Sequence, residues 1–295
     1  MPVRKAVIPA AGFGTRFLPS TKAQPKEMLN VIDKPCIQYI VEEAVRAGMD
    51  DILIVTGRGK SSIEDHFDYA PDLEAHLEAG GKTEQLEMVR AIADMADVHF
   101  VRQKAQKGFG DAVAMAARHV GDEPFAVLVG DEIVPEPSDN KSDLMSALLE
   151  IFQERSKSVI AVVDVPKDEV SSYGIIDSEA VEGNDSVFKV NDMVEKPDEG
   201  EAPSTFGSRG RYVFTPDIFE ALAKTEPGKG GEIQLTDAIK AVATSDEVFA
   251  YVYDGLIYDV GRPSSYLEAT IELALQREDL ADDLKAFIGE VAERH

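Results

Sequence analysis

The chain has 295 residues, 44% of them hydrophobic and 29% charged, and a net charge of −25. That excess of acid argues against nucleic acid or an anionic membrane as partner, and no apolar run nears the roughly 20 residues that span a bilayer. A lone cysteine, Cys36, rules out an internal disulfide; with no basic-then-apolar leader at the N-terminus, a cytoplasmic protein is expected. The histidines at 66, 76, 99, 119 and 295 show no metal-ligand spacing, which predicts isolated surface residues.

The first element, Lys5 to Ala11, reads as a short buried strand, and Gly12 and Gly14 follow it directly. Glycines there let backbone approach a ligand and aim N–H groups at it. The loop is not a P-loop, which needs Gly-x-x-x-x-Gly-Lys-Ser/Thr. It is not a dinucleotide fingerprint either, since Phe17 stands where the third glycine belongs. Instead it runs past Pro19 and Pro25 and presents Arg16, Lys22 and Lys26, a pattern that favours a phosphate site over an ordinary turn. Helical spacing from Pro35 to Ala47 and a strand from Asp51 to Thr56 complete a strand–helix–strand unit, the start of a parallel sheet. Residues 60–96 read as polar helix without evident chemistry. A third strand, Val98 to Gln103, leads to a second glycine loop at 104–112 and a helix from Ala112 to His119. Gln103 thus stands at the carboxyl end of its strand, where α/β sheets bind ligands. Phe125 to Val129 is the cleanest core strand and delivers Gly130-Asp131-Glu132. Asp131 is either a turn former or a metal ligand, and its place at the same sheet edge as both glycine loops favours the metal.

Beyond a helix at 143–154 and a strand at 158–165, the pattern changes to short alternating strands at 172–176, 187–195 and 210–215, which predicts antiparallel additions. Glu195-Lys196 closes the second of these. By composition alone it is an ordinary solvated pair. The glycines at 228–231 precede a helix at 235–243, and their role stays open. Asp259 ends a strand before Gly261, as Asp131 does after Gly130; residues 264–294 read as amphipathic helix broken near 278–279. The fold class is therefore α/β: a Rossmann-like, mixed, mostly parallel sheet flanked by helices, with a small antiparallel addition and a helical C-terminus. The expected organisation is one α/β domain at 1–263, the addition at about 166–215 within it, and a helical segment at 264–295.

Ala10-Ala11-Gly12-Phe13-Gly14-Thr15-Arg16, Thr21-Lys22-Ala23, Pro25-Lys26-Glu27-Met28-Leu29, Asp33-Lys34-Pro35 and Ile37-Gln38-Tyr39 together resemble the bacterial UTP–glucose-1-phosphate uridylyltransferases, a family of sugar nucleotidyltransferases. Asn30 replaces the family's usual proline and Phe17 its usual methionine. The resemblance implies that Ala10, Ala11, Gly12, Gly14, Glu27, Gln103, Gly108 and Gly130 bind the nucleotide, with the Gln103 amide reading a uracil edge. It implies catalytic roles for Arg16, Lys26, Asp131 and Lys196, a sugar site at Gly174, Glu195 and Lys196, and Mg²⁺ on Asp131 and Asp259. UTP and glucose 1-phosphate would be the substrates, and the family's habit of forming dimers and tetramers implies a homo-oligomer, with 264–295 as the subunit contact. No Ser–His or Cys–His constellation is visible, in keeping with direct attack rather than a protein nucleophile. The rival readings are a thymidylyltransferase for the same sugar phosphate, a non-catalytic sugar-nucleotide sensor, and a nicotinamide-dependent dehydrogenase, the last disfavoured by Phe17.

Overall fold

The structure, a computed structural model, describes residues 2–136 and 143–294. Its centre is a sheet of nine strands: β1 (Lys5–Ala10), β2 (Asp51–Thr56), β3 (Asp97–Arg102), β4 (Phe125–Leu128), β5 (Ser158–Asp164), β6 (Gly174–Val181), β7 (Asn184–Glu195), β8 (Phe206–Phe214) and β9 (Val248–Val252). They lie in the order β3-β2-β1-β4-β8-β5-β9-β7-β6. The pairs β3–β2, β2–β1, β1–β4 and β5–β9 are parallel, and the remaining neighbours are antiparallel. Of the nine, only β7 and β8 therefore oppose the common direction.

Helices cover both faces, so β1, β2 and β4 are apolar on both sides, as parallel strands buried between layers must be. Ile8, Ile52, Ile54 and Leu128 face one core, shared with α1 (Cys36–Arg46) and α7 (Leu144–Arg155). Val7, Leu53, Val55 and Val127 face the other, with α5 (Phe109–Ala114), α6 (Ala117–Val120), α8 (Asp217–Lys224) and α9 (Leu235–Ser245). On α1, Ile37, Ile40, Val41 and Ala44 repeat at helical spacing and are fully buried. Residues 60–96 form α2 (Ser61–Phe67), α3 (Pro71–Ala79) and α4 (Thr83–Ala93). The single helix expected at 112–119 starts earlier, directly after Gly108, and is divided into α5 and α6.

β6 and β7 form the antiparallel edge that the sequence predicts. β8 differs: expected as a short strand from Gly210, it begins at Phe206 and lies mid-sheet between β4 and β5. Arg209 disguises its start, a charged residue that is nonetheless buried, and Arg211 further along is fully buried and bonded in bidentate fashion to Glu43 of α1, at 2.8 and 2.7 Å. The tail forms α10 (Pro263–Leu275) and α11 (Ala281–Arg294), separated at the expected break. Ala269, Leu273 and Ala274 of α10 are buried, whereas α11 buries no residue in this chain.

Candidate active site

The carboxyl ends of β1, β3 and β4 converge on one side of the sheet, and each releases a loop there. After β1, Gly14 takes a left-handed conformation (φ 66°) and accepts a hydrogen bond from the Thr21 hydroxyl at 2.7 Å. This closes the loop so that a Cβ on Gly14 would stand 3.1 Å from that of Lys26. After β3, Gly108 has φ 110°, and a Cβ there would meet the Ile233 carbonyl at 2.8 Å. Ile233 explains the stretch after the 228–231 glycines: its N–H donates to Lys107 O at 2.7 Å and its carbonyl accepts from Gly110 N at 2.9 Å. That stretch braces the second glycine loop.

Between the two loops lies a cavity of about 660 Å³ lined by Ala11, Gly12, Gly14, Arg16, Lys26, Glu27, Gln103, Gly108 and Asp131. Ala10 and Gly130 do not line it; both are buried beneath. Gln103 Nε2 donates to Gly108 O at 3.3 Å and to Asp111 Oδ2 at 2.7 Å, so the two groups expected to face a base are bonded to each other. Glu27 is buried and paired with Lys60 at 2.7 Å. Burial pushes the Glu27 carboxyl above its ordinary range, against the pull of Lys60 and Lys26, and burial likewise lowers Lys60. Residues 60–96 therefore contribute one charge to the site, contrary to the reading of that stretch as chemically silent.

A second, larger cleft of about 1220 Å³ adjoins this cavity, sharing Arg16, Phe109, Val129, Asp131 and Glu232 with it. Gly174, Glu195, Lys196 and Asp259 line it as well. Asp259 reaches Asp131 through a two-residue antiparallel pairing, Tyr258 with Ile133 and Asp259 with Glu132, extended by Val260 N to Asp131 O at 2.9 Å. A Cβ on Gly261 would lie 2.8 Å from Asp259 Oδ1, 2.9 Å from Asp131 Oδ2 and 3.7 Å from Arg16 Nη1. Only glycine leaves these three groups room to approach one another. Two carboxylate oxygens aimed at one small volume fit a hard divalent cation, which prefers oxygen ligands. Lys26 Nζ lies 2.5 Å from the same Asp131 oxygen. Burial works against the Lys26 ammonium, but Asp131 and Glu27 outweigh it and hold the lysine above its ordinary pKa.

At the far end of the cleft, Lys196 has a left-handed backbone (φ 46°) fixed by its N–H on Tyr173 O at 2.9 Å, and its ammonium sits 2.9 Å from Glu195 Oε1. Gly174 leaves no space for a side chain, since a Cβ would meet Thr236 Cγ2 at 2.7 Å and Met193 Cε at 2.8 Å. Two residues here were not singled out from the sequence. Arg209 of β8 is held by Glu132 at 3.3 Å and lies over the Tyr173 ring. The hydroxyl of Thr236 is buried in the cleft wall without a hydrogen-bond partner among the described residues. A charged residue recurring in the otherwise apolar run 206–214 was the available signal for Arg209; Thr236 left none.

The histidines require a correction. His66 contacts Gln38 at 3.0 Å, and His99 and His119 meet each other and Asp51 at the opposite end of the sheet. His76 is exposed on α3, and His295 lies outside the described residues. Among the described residues no helix is long and apolar enough to cross a membrane.

Glycine loops at strand ends, cations spaced around them and two acids at one edge are the equipment of an enzyme that transfers a nucleotidyl group. The chain belongs to the nucleotidyl transferase family, whose model matches residues 5–276. Within it, the UTP–glucose-1-phosphate uridylyltransferase of Bacillus subtilis (strain 168) is 52% identical over 286 residues, 97% of this chain and 96% of the relative. A crystal structure of UDP-glucose pyrophosphorylase complexed with UDP-glucose superposes with a TM-score of 0.83 at 41% identity, covering 93% of this chain and all of that one (100%). A UTP-bound enzyme of the same kind from Acinetobacter baumannii gives 0.89 at 39% identity, with 98% and 99% covered.

Proposed function

We propose that this protein transfers a uridylyl group from UTP to glucose 1-phosphate, releasing pyrophosphate and forming UDP-glucose. The observation that carries the reading is the joining of two cavities at Arg16 and Asp131, one flanked by the glycine loops and the other by Glu195 and Lys196. This provides separate berths for nucleotide and sugar phosphate with the charged groups at their junction.

A phosphate oxygen of glucose 1-phosphate attacks the α-phosphorus of UTP. One P–O bond forms as the bond to the β-phosphate oxygen breaks, and that electron pair leaves with pyrophosphate. A phosphate monoester has a second pKa of about 6, so the nucleophile needs no general base near neutral pH. What remains is positioning and charge neutralisation. Gln103 and the backbone at Ala11, Gly12 and Gly108 face the base. Arg16 and Lys26 hold the triphosphate; Lys26 shares an oxygen of Asp131 and turns to phosphate once that oxygen is otherwise engaged. Asp131 and Asp259 would hold Mg²⁺, which supplies charge neutralisation on the phosphates. Lys196 meets the sugar phosphate, and Glu195 accepts from sugar hydroxyls beside Gly174. The acidic surface does not forbid anionic substrates, because the cations gather locally.

Pyrophosphate release, measured for four nucleoside triphosphates against several sugar 1-phosphates with Mg²⁺, tests the assignment. UTP with glucose 1-phosphate is expected to be fastest. Faster turnover of dTTP moves the chain to the thymidylyl branch, and no release with any pair leaves it a sensor. Lys196→Ala is expected to lower kcat/KM for glucose 1-phosphate about 10- to 100-fold, the worth of one charge-assisted hydrogen bond. UTP binding, read by calorimetry, should be unaltered. Unchanged sugar kinetics remove Lys196 from the site.

A further inference from the structure

The amino ends of the strands, away from the cleft, bring together a different set of ligands. Asp51 opens β2, His99 stands in β3 and His119 lies in α6. Asp51 Oδ1 is 2.7 Å from His119 Nε2 and 3.8 Å from His99 Nε2, and the three ligand atoms all lie within 4.8 Å of one another. The parallel register accounts for the meeting. Asp51 pairs with Asp97 and Leu53 with His99, so Asp51 and His99 share the sheet face on which Leu53 packs against Ala116 and Val120. Lys5 sets the third ligand: its ammonium donates to His119 O at 3.1 Å and Val120 O at 3.2 Å, pinning the end of α6 above the strand ends. The Lys5 charge is itself matched by Glu123 at 2.5 Å.

We propose that Asp51, His99 and His119 form a binding site for a divalent transition cation of the zinc class. Two imidazoles and one carboxylate suit zinc, cobalt or nickel, whereas magnesium and calcium take oxygen ligands. Tetrahedral coordination at about 2.1 Å places ligand atoms about 3.4 Å apart. The observed separations of 2.7 and 3.8 Å fall on either side of that, so small ring movements suffice. A plain His119–Asp51 hydrogen bond accounts for two of the three groups but not for His99 turned toward the same oxygen. His99 is half exposed (52%), which leaves a fourth position open to water. The net charge of −25 favours any cation.

This site is separate from the catalytic edge. β1 runs from Lys5, beside Asp51, to Ala10, beside Thr56 at the cleft end. Five steps of about 3.3 Å put about 17 Å between the two ends. A cation here would tie β2, β3 and α6 together rather than touch substrate.

Co²⁺ is the probe, added to the full-length protein without nucleotide and in excess Mg²⁺, and read by visible absorption and calorimetry. One equivalent is expected to bind with the spectrum of a nitrogen-ligated site, and to bind equally in Asp259→Asn. His99→Ala and His119→Gln are each expected to weaken binding at least tenfold and remove the spectrum. Their far-ultraviolet circular dichroism and Mg²⁺-supported turnover should match the unaltered protein. Absence of the spectrum in the unaltered protein, or its retention in either histidine variant, overturns the site.

Discussion

Asp131→Asn is expected to reduce turnover by about 10²–10³, the usual loss when one preorganised charge is removed from a phosphoryl-type transfer. The substitution preserves shape and removes only charge. The carboxylate it removes is shared by Lys26 at 2.5 Å and faces the point that Asp259 also approaches. Losing it affects both at once: Lys26 loses the main attraction that holds its ammonium charged against burial, and the acid pair becomes a single acid. Stability should fall only modestly. The Lys26 and Asp131 side chains are part-buried, 20% and 29% exposed, so losing one charge of the pair costs about 1–3 kcal/mol. Steady-state kinetics across a range of Mg²⁺ should therefore show low turnover and a raised Mg²⁺ requirement, with a melting curve lowered by a few degrees and still cooperative. Normal turnover at ordinary Mg²⁺ would remove Asp131 from the reaction, and a collapsed melting curve would make its role structural.

What the sequence alone makes legible differs from residue to residue. β1, β2 and β4 announce themselves as short apolar runs, because burial on both faces leaves no polar alternation to misread. Gly12 and Gly14 at the end of β1 follow from the need for close backbone approach. β8 reads short at its start because Arg209 interrupts the run there, whereas Arg211 lies inside the expected strand. The compensating acids, Glu132 and Glu43, lie far away in sequence, and nothing local tells a buried, paired arginine from a solvated one. The same holds for Lys60 and Glu27, and for His99 with His119 and Asp51. The site residues are marked by the family resemblance more than by their own chemistry. Glu195-Lys196 is an unremarkable dipeptide until Tyr173 and Gly174 fix it at the cleft, and the approach of Asp259 to Asp131 depends on a two-residue strand pairing too short to predict.

Arg211→Leu is expected to cost about 3–5 kcal/mol of folding free energy, the range for breaking a buried ion pair from one side. Arg211 and Glu43 are 0% and 1% exposed, so the remaining carboxylate would have neither water nor partner. Three carbonyls also lose a donor: Val129 at 3.4 Å, Gly210 at 3.2 Å and Glu132 at 2.6 Å. Urea unfolding with an unchanged slope should show the loss as a lower midpoint. Adding Glu43→Leu should restore much of it, since replacing both members of a buried pair with apolar residues is often nearly neutral. Recovery should stop short of complete, because a carbonyl left unpaired costs about 1–3 kcal/mol, although the Gly210 carbonyl keeps the Val129 N–H at 2.9 Å. A single variant within 1 kcal/mol of the unaltered protein by that measurement would contradict the buried-pair account. The double variant also tests why so costly an arrangement exists. Arg211 bonds the carbonyls on both sides of Gly130-Asp131, so it fixes the turn that presents Asp131, the proposed Mg²⁺ ligand. A double variant that regains stability yet turns over several-fold slower, with its Mg²⁺ requirement raised as in Asp131→Asn, assigns the pair to positioning. Full recovery of turnover alongside stability would assign it to folding alone.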